Sequence, residues 1–329
     1  MTSDATTGMA TVLSAEPTGI VEPAGISGNT GTAEPAATAD PACGLERGRG
    51  SADRPHEHRP SLSPSRASDF KTCPLLYRFR CIDRLPEQPS PDAVRGTVVH
   101  AVLERLYDLP AAQRTPEHAV ALVDPQWSRL LEIEPALRGL FPDTETLSSW
   151  LASARELVEG YFTLEDPTAL EPAERECLVE TELDDGLLLR GYVDRLDVAP
   201  SGDIRVVDYK TGGAPRAAFE AKALFQMKFY ALVLWRSRGV LPRVLRLIYL
   251  KDRDTLTYSP DEEELRRFEL TVQAIWAAIG RARQTGDFRP SPGPLCGWCD
   301  HQALCPAWGG TPPPYPRESV PEAPEATSG

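Results

Sequence analysis

The feature that most constrains this chain is a change of hydrophobic period at Glu176. From there CLVETEL (177–183), LLLRGYVDRLDVA (187–199) and DIRVVDYKTG (203–212) follow one another, separated by Asp-Gly and Ser-Gly-Asp turns. Runs rich in Val, Leu and Tyr with turn residues between them predict three successive strands, adjacent ones antiparallel. On both sides the period is helical. Upstream, SLSPSRASDFKTCPLLYRFR (61–80) offers Ser63 or Ser65 as the cap of a helix that carries Phe70 and ends near Cys73-Pro74, with a second short helix after Pro74. VRGTVVHAVLERLYDL (94–109) then puts Val98, Val102 and Leu106 on one helical face. More helical pattern covers 116–133 and 144–163, where Trp150, Tyr161 and Phe162 are expected in the core. Downstream come a helix at about 219–238, a strand at VLRLIYL (244–250) and a long helix at about 261–285. Helices, antiparallel strands, helix, strand, helix is the order of an α/β sheet flanked by helices.

Residues 1–60 are Ala, Thr, Gly, Pro and Glu with almost no aromatics, and residues 309–329 are Pro-rich. Such compositions bury too little apolar surface to offset chain entropy, so both are expected to be disordered tails around one domain, 61–308. The formal net charge of -13 does not by itself suggest a nucleic-acid partner, because phosphate contacts need Lys and Arg, but it is unevenly spread. Residues 66–84 hold Arg66, Lys71, Arg78, Arg80 and Arg84 against two acids, and Arg66, Arg78 and Arg80 are candidate phosphate contacts. No run approaches the ~18 apolar residues of a membrane span. The N-terminus lacks a basic-then-apolar signal pattern, so a cytoplasmic protein with no membrane partner is expected.

Two predicted strands bring acids and a lysine together. Asp194 lies in one, Asp208 and Lys210 in the next, and alternate residues of a strand share a face, so Tyr209 points the other way. Close carboxylates are costly unless a cation sits between them, and oxygen ligands suit Mg²⁺ or Mn²⁺. A lysine beside such an ion can orient or deprotonate water, or stabilise charge on a phosphate. Asp-x-Lys by itself also fits two strand-end acids and a solvated lysine.

GYVDRLD followed by VVDYKTG resembles the paired core motifs of RecB-family PD-(D/E)XK nucleases. The resemblance implies a restriction-endonuclease-like core with a central mixed sheet flanked by helices. It implies metal ligation by Asp194, Asp208 and the Tyr209 carbonyl, with Lys210 serving the water. RGTVVHAVLE resembles the family helix whose histidine completes the metal site, here His100, which otherwise reads as a helix histidine paired with Glu104. QMKFYALVL resembles the Gln-x-x-x-Tyr motif; Gln226 and Tyr230, four apart on one helix face, are expected to support the site and contact substrate. The family often adds an acid on the preceding strand. Glu180 and Glu182 are both available, and Glu180 is the candidate.

CGWCDHQALC places Cys296, Cys299 and Cys305 in a C-x2-C-x5-C array. By resemblance to iron-sulfur members, such as the nuclease half of the AddB helicase subunit and the nucleases of CRISPR adaptation, Cys73 is the fourth ligand of a 4Fe-4S cluster. Structural zinc is the alternative, with His301 able to replace a thiolate. Cys43, Cys81 and Cys177 have no partner in the pattern.

No G-x-x-x-x-G-K-[ST] segment occurs, so any unwinding would need a separate helicase. The resemblance therefore implies a metal-dependent nuclease on single-stranded DNA or frayed duplex ends, an exonuclease rather than an endonuclease, in repair or recombination. The alternative is a non-cleaving DNA-binding scaffold that keeps the fold. An iron-sulfur electron carrier would leave Asp194, Asp208 and Lys210 unexplained.

Overall fold

The computed structural model describes residues 61–214 and 217–316, with backbone only at 217–220 and 222. The tail expected at 1–60, and residues 317–329 of the other, lie outside them.

Serine, threonine and aspartate side chains cap five of the helices. Ser63, rather than Ser65, accepts from the Arg66 N–H and opens α1 (Pro64–Thr72). Its end at Cys73 is followed by the short α2 (Pro74–Tyr77) and a π-turn over Arg78–Ile82. Ser90 caps α3 (Pro91–Leu106), and α4 (Pro116–Ala121), α5 (Val123–Ile133) and α6 (Thr144–Tyr161) follow. Then come the strands β2 (Glu174–Glu182), β3 (Leu188–Val198) and β4 (Ile204–Lys210), after the two-residue β1 (Ser61–Leu62). Helix α7 (Ala217–Arg238) crosses to β5 (Val244–Tyr249), the hairpin partner β6 (Asp254–Tyr258) follows, and α8 (Glu262–Thr285) ends at Gly286, φ +72°.

Strand β6 was not expected from sequence. It is an edge strand, antiparallel to β5 only, and its mostly half-exposed DTLTY carries little hydrophobic signal.

The sheet is mixed, as expected. β2 runs antiparallel along one edge of β3, while β4 and β5 pair in parallel through the α7 crossover. The other edge of β3 is divided: β4 pairs with it from Arg195 to Val198, and β1 pairs with Leu188 and Leu189. Between Arg190 and Asp194 that edge has no strand partner among the described residues. β3 and β4 fork there, and the fork positions the site.

Both faces of the central strands are covered, which is why β4 and β5 read as near-continuous apolar runs. Val206 packs with Leu245, Phe229 and Leu232 against α1, α7 and α8. Val207 and Tyr209 pack with Val98, Val102, Trp150 and Tyr161 against α3 to α6. Helix α7 buries every residue from Phe229 to Leu234, so it is apolar all round rather than amphipathic.

The packed body runs past Trp308, the boundary expected from sequence. Residues 309–316 return along α8: the Tyr315 ring lies 5.7 Å from Phe288 and its hydroxyl donates to the Arg283 carbonyl at 3.1 Å. Arg78 donates to the Pro313 carbonyl and stacks on Tyr315.

Candidate active site

At the fork, Asp194 takes a place in the ladder that a backbone carbonyl would otherwise hold. Its Oδ2 accepts the Tyr209 N–H at 2.7 Å. The Tyr209 carbonyl accepts from Nε2 of His100, 2.9 Å away on α3. That leaves His100 Nδ1 at 3.5 Å from Asp194 and 3.7 Å from Glu176. Among the described residues, His100, Glu176 and Asp194 alone bring three acidic, histidine or cysteine donor atoms within 4.8 Å of one another. Two carboxylates, an imidazole and a nearby main-chain carbonyl form an oxygen-rich set that suits a hard divalent ion.

Asp208 lies beside this group, 2% exposed, with Lys210 Nζ at 2.6 Å. Gln226 joins the two: its Oε1 accepts from Lys210 at 2.9 Å, and its Nε2 donates to Asp208 at 2.9 Å and to the Tyr230 hydroxyl at 3.0 Å. Alternation in β4 thus sends Asp208 and Lys210 toward α7 while the Tyr209 ring enters the opposite core. Gly191 lets Tyr230 sit close against β3, because a Cβ there would stand 2.7 Å from its ring.

The charges are mutually dependent. Burial raises the Asp208 carboxyl to about 6, against the pull of Lys210 and with the help of Asp194. Burial also pushes Asp194 up, but His100, Lys210 and the Tyr209 N–H outweigh it and hold Asp194 below the usual aspartate value. Burial lowers His100, yet Asp194, Glu176 and Asp208 bring it well above the ordinary imidazole value. Protons therefore occupy a position that a cation could take.

Beneath the fork lies a polar network in the α3–α6 core. Arg195, 1% exposed, donates to the hydroxyls of Tyr209, Tyr107 and Tyr161 at 2.7, 2.9 and 3.1 Å. Its Nη2 is 2.8 Å from Glu165 and its Nε 3.1 Å from Asp197. Tyr209 thus connects Arg195, through its hydroxyl, to Asp194 and His100, through its main chain.

The acid that β2 brings to the cluster is Glu176, not Glu180. Glu180 is exposed four residues further along, opposite Arg190, and Glu182 lies beyond it. Glu176 has φ +43° and sits across from Asp194, between the pairs Arg175–Arg195 and Cys177–Val193. Strand alternation could not reveal it, but counting back from Asp194 about the Asp185-Gly186 turn would have. The pairing of His100 with Glu104 does not form; the nearest basic group to buried Glu104 is Arg105, at 3.8 Å.

Two of the three arginines named as candidate phosphate contacts are held in ion pairs. Arg78 is buried against Asp83 at 2.9 Å, and Arg80 is held by Asp69 and Glu87, each at 2.7 Å. Neither presents a free guanidinium for phosphate. Arg66 is exposed and donates to the Ser61 carbonyl and hydroxyl at 3.1 and 3.2 Å.

Cys73, Cys296, Cys299 and Cys305 line one apolar pocket with Leu75, Phe79 and Leu295. The Ser291 N–H donates to the Cys73 sulfur at 3.4 Å and the Gly293 N–H to that of Cys296 at 3.3 Å. No three of the sulfurs come within 4.8 Å of one another. Burial raises the Cys299 thiol, as do the other three cysteines. His301 faces away from them, with Nε2 3.0 Å from Glu87. Cys81, raised by burial to about 11, and buried Cys177 stand apart.

The chain is 25% identical over 279 residues to the Gene 69 protein of Mycobacterium phage D29, an alignment covering 76% of this chain and 97% of that protein. It is 25% identical over 292 residues to the Gene 69 protein of Mycobacterium phage L5, with the same shares covered. Among solved structures it resembles a protein of Eubacterium rectale that carries a provisional exonuclease name, with a TM-score of 0.48 and 12% identity over 73% of this chain and 87% of that one. The profile of the PD-(D/E)XK nuclease superfamily matches residues 61–306, so the chain belongs to that superfamily of hydrolytic nucleases, which use divalent metal ions.

Proposed function

We propose that this chain is a RecB-like deoxyribonuclease, an exonuclease that hydrolyses phosphodiesters of single-stranded DNA or frayed duplex ends. The observation that carries this reading is the convergence of His100, Glu176, Asp194, Asp208 and Lys210 at the β3–β4 fork. The residues that would hold Mg²⁺ or Mn²⁺ are Asp194, Asp208, Glu176, His100 and the Tyr209 carbonyl. The ion supplies Lewis acidity toward the phosphate and lowers the pKa of water. Lys210, held by Asp208 and Gln226, orients the attacking water and meets the negative charge that grows on the phosphate oxygens. Gln226 fixes the Lys210 ammonium and the Asp208 carboxylate relative to each other, and Tyr230 fixes Gln226. Attack of water on phosphorus breaks one P–O bond and leaves a 5′- or 3′-phosphate and a free hydroxyl.

Cys73, Cys296, Cys299 and Cys305 are assigned a 4Fe-4S cluster in this proposal. They line one pocket, which supports a shared centre, and four thiolates suit an iron-sulfur cluster, with structural zinc the alternative. The N–H donors to sulfur fit thiolates. The cluster is structural in this reading, tying α1 to the C-terminal turns. A cytoplasmic location is part of this proposal; no helix among the described residues is long and apolar enough to cross a membrane. The pathway is repair or recombination, beside a separate helicase.

The test is digestion of 5′- and 3′-labelled single- and double-stranded DNA by anaerobically purified protein with Mg²⁺ or Mn²⁺, with Lys210→Ala as control and with iron, zinc and sulfide analysis. Metal-dependent shortening lost in the variant, from a protein with about four irons, supports the reading. Binding of DNA without cutting moves it to a non-cleaving scaffold, and one zinc per chain overturns the cluster.

A further inference from the structure

The chain leaves β4 at Lys210 and turns toward α7, so the segment that follows Lys210 decides how that lysine stands in the site. Residues 211–214 are held from two sides. On one side is α3: at Gly96, one helical turn before His100, a Cβ would stand 3.3 Å from the Thr211 hydroxyl, so the helix and Thr211 are in close contact. On the other is the turn at 250–253 that joins β5 to β6. Its Leu250 N–H donates to the Lys210 carbonyl at 2.9 Å. Its Asp252 Oδ2 accepts the Ala214 N–H at 2.6 Å. The turn is itself seated on α6, where a Cβ on Gly160 would stand 3.2 Å from the Leu250 carbonyl oxygen and 3.6 Å from Nε of Arg253.

Gly213 belongs to the same contact. It is not one of the glycines with a left-handed φ, so its backbone conformation does not require glycine. What excludes a side chain there is Asp252, whose Oδ2 and Cγ would lie 2.8 and 3.5 Å from a Cβ. The exposed Asp252 carboxylate therefore fixes the path of the main chain just beyond Lys210. We propose that Asp252 is a positioning residue of the nuclease site, which acts through Gly213 and Ala214 on the placement of Lys210. The inference rests on the nuclease reading and deepens it. Asp252 touches neither metal nor DNA in this reading. Its effect reaches the reaction because a catalytic group displaced by ~1 Å can cost about a hundredfold in rate. The Lys210 ammonium is also held by Asp208 and Gln226, so the loss here is smaller. It falls on kcat, because the acids and the histidine of the metal cluster are not disturbed.

The experiment measures kcat and KM on a labelled single-stranded oligonucleotide with Mg²⁺ or Mn²⁺ for wild type, Asp252→Ala, Asp252→Asn, Gly213→Ala and the double variant Asp252→Ala/Gly213→Ala. A thermal melt and hydrogen–deuterium exchange of the peptide spanning residues 210–214 accompany each protein. The expected result for Asp252→Ala is a loss of about tenfold in kcat, with KM and Tm near wild type and faster exchange at the Ala214 amide. Asp252→Asn, whose Oδ1 can accept the same N–H, keeps most of the wild-type kcat. Gly213→Ala displaces the carboxylate and falls like Asp252→Ala, and it adds little in the double variant because both changes break one contact. A wild-type kcat in Asp252→Ala, an equal loss in Asp252→Asn, unchanged exchange at Ala214, or a loss that merely follows a fall in Tm overturns the positioning role and leaves the nuclease reading standing. If wild type cuts nothing with either metal, the nuclease reading fails and the positioning role falls with it.

Discussion

Replacing Arg195 with methionine keeps the length of the side chain and removes its charge and five donors. Tyr107, Tyr161 and Tyr209 then lose a shared donor in a site where burial and neighbouring groups already disfavour their ionisation, and Glu165, 4% exposed, loses its nearest cation. Breaking a buried pair from one side costs about 3–5 kcal/mol. The lower end applies here, because Glu165 keeps Arg246 at 3.5 Å and Arg205 at 3.8 Å, and Asp197 keeps Arg205 at 2.8 Å. At about 2–4 °C per kcal/mol for a domain of this size, ~3 kcal/mol is a fall of about 6–12 °C in Tm. The fall should be partly reversed in Arg195→Met/Glu165→Gln, because the buried Glu165 charge goes with its nearest partner, while Arg205 keeps Asp197 and half-buried Arg246 loses its acid. The assay is a calorimetric melt of the four members of the cycle, with Mn²⁺ titration of each, since a displaced Tyr209 ring shifts the main chain that holds Asp194 and His100. An Arg195→Met protein melting within about 2 °C of wild type, or additive effects in the double variant, would refute the idea of a buried unit that holds the fork.

Glu176→Gln should reduce cutting and Mn²⁺ affinity by roughly tenfold to a hundredfold or more, whereas Glu180→Gln should leave both near wild type; kinetics and titration of the pair check the assignment. In the metal-free protein, His100 is raised above its unfolded value, so the stability it contributes is present at low pH and is lost as pH rises through its folded pKa. Asp208, raised to about 6, costs stability as pH rises from about 4 to 6. Mn²⁺ replaces the protons on both, so its affinity and the Tm gain it brings should grow between pH 5 and 8, with proton release seen by calorimetry in buffers of different ionisation enthalpy. On the proposed cluster assignment, Cys299→Ser should lower the iron content, the visible absorption and Tm relative to wild type, checked by metal analysis, absorption and melting under anaerobic conditions.

Much of the site was legible because it obeys local periods. Alternation in VVDYKTG put Asp208 and Lys210 on one face and Tyr209 on the other; helical spacing put Gln226 beside Tyr230 and buried Val98, Val102 and Leu106. These relations depend on neighbours a few residues apart, which the backbone repeat dictates. Glu176 escaped because a positive φ breaks the alternation that would have marked it, and its relevance comes from the residue across the hairpin. Strand β6 escaped because an edge strand buries little and needs β5 to exist. Arg78 read as a surface cation because nothing near it in the chain shows that Tyr315 and Pro313 fold back over it. Composition, period and turn residues determined the elements and the chemistry of the motifs. Which charges are buried, which acid joins the cluster and where the body ends were decided by contacts between distant segments, because burial and pairing belong to the assembled surfaces and not to any one stretch of chain.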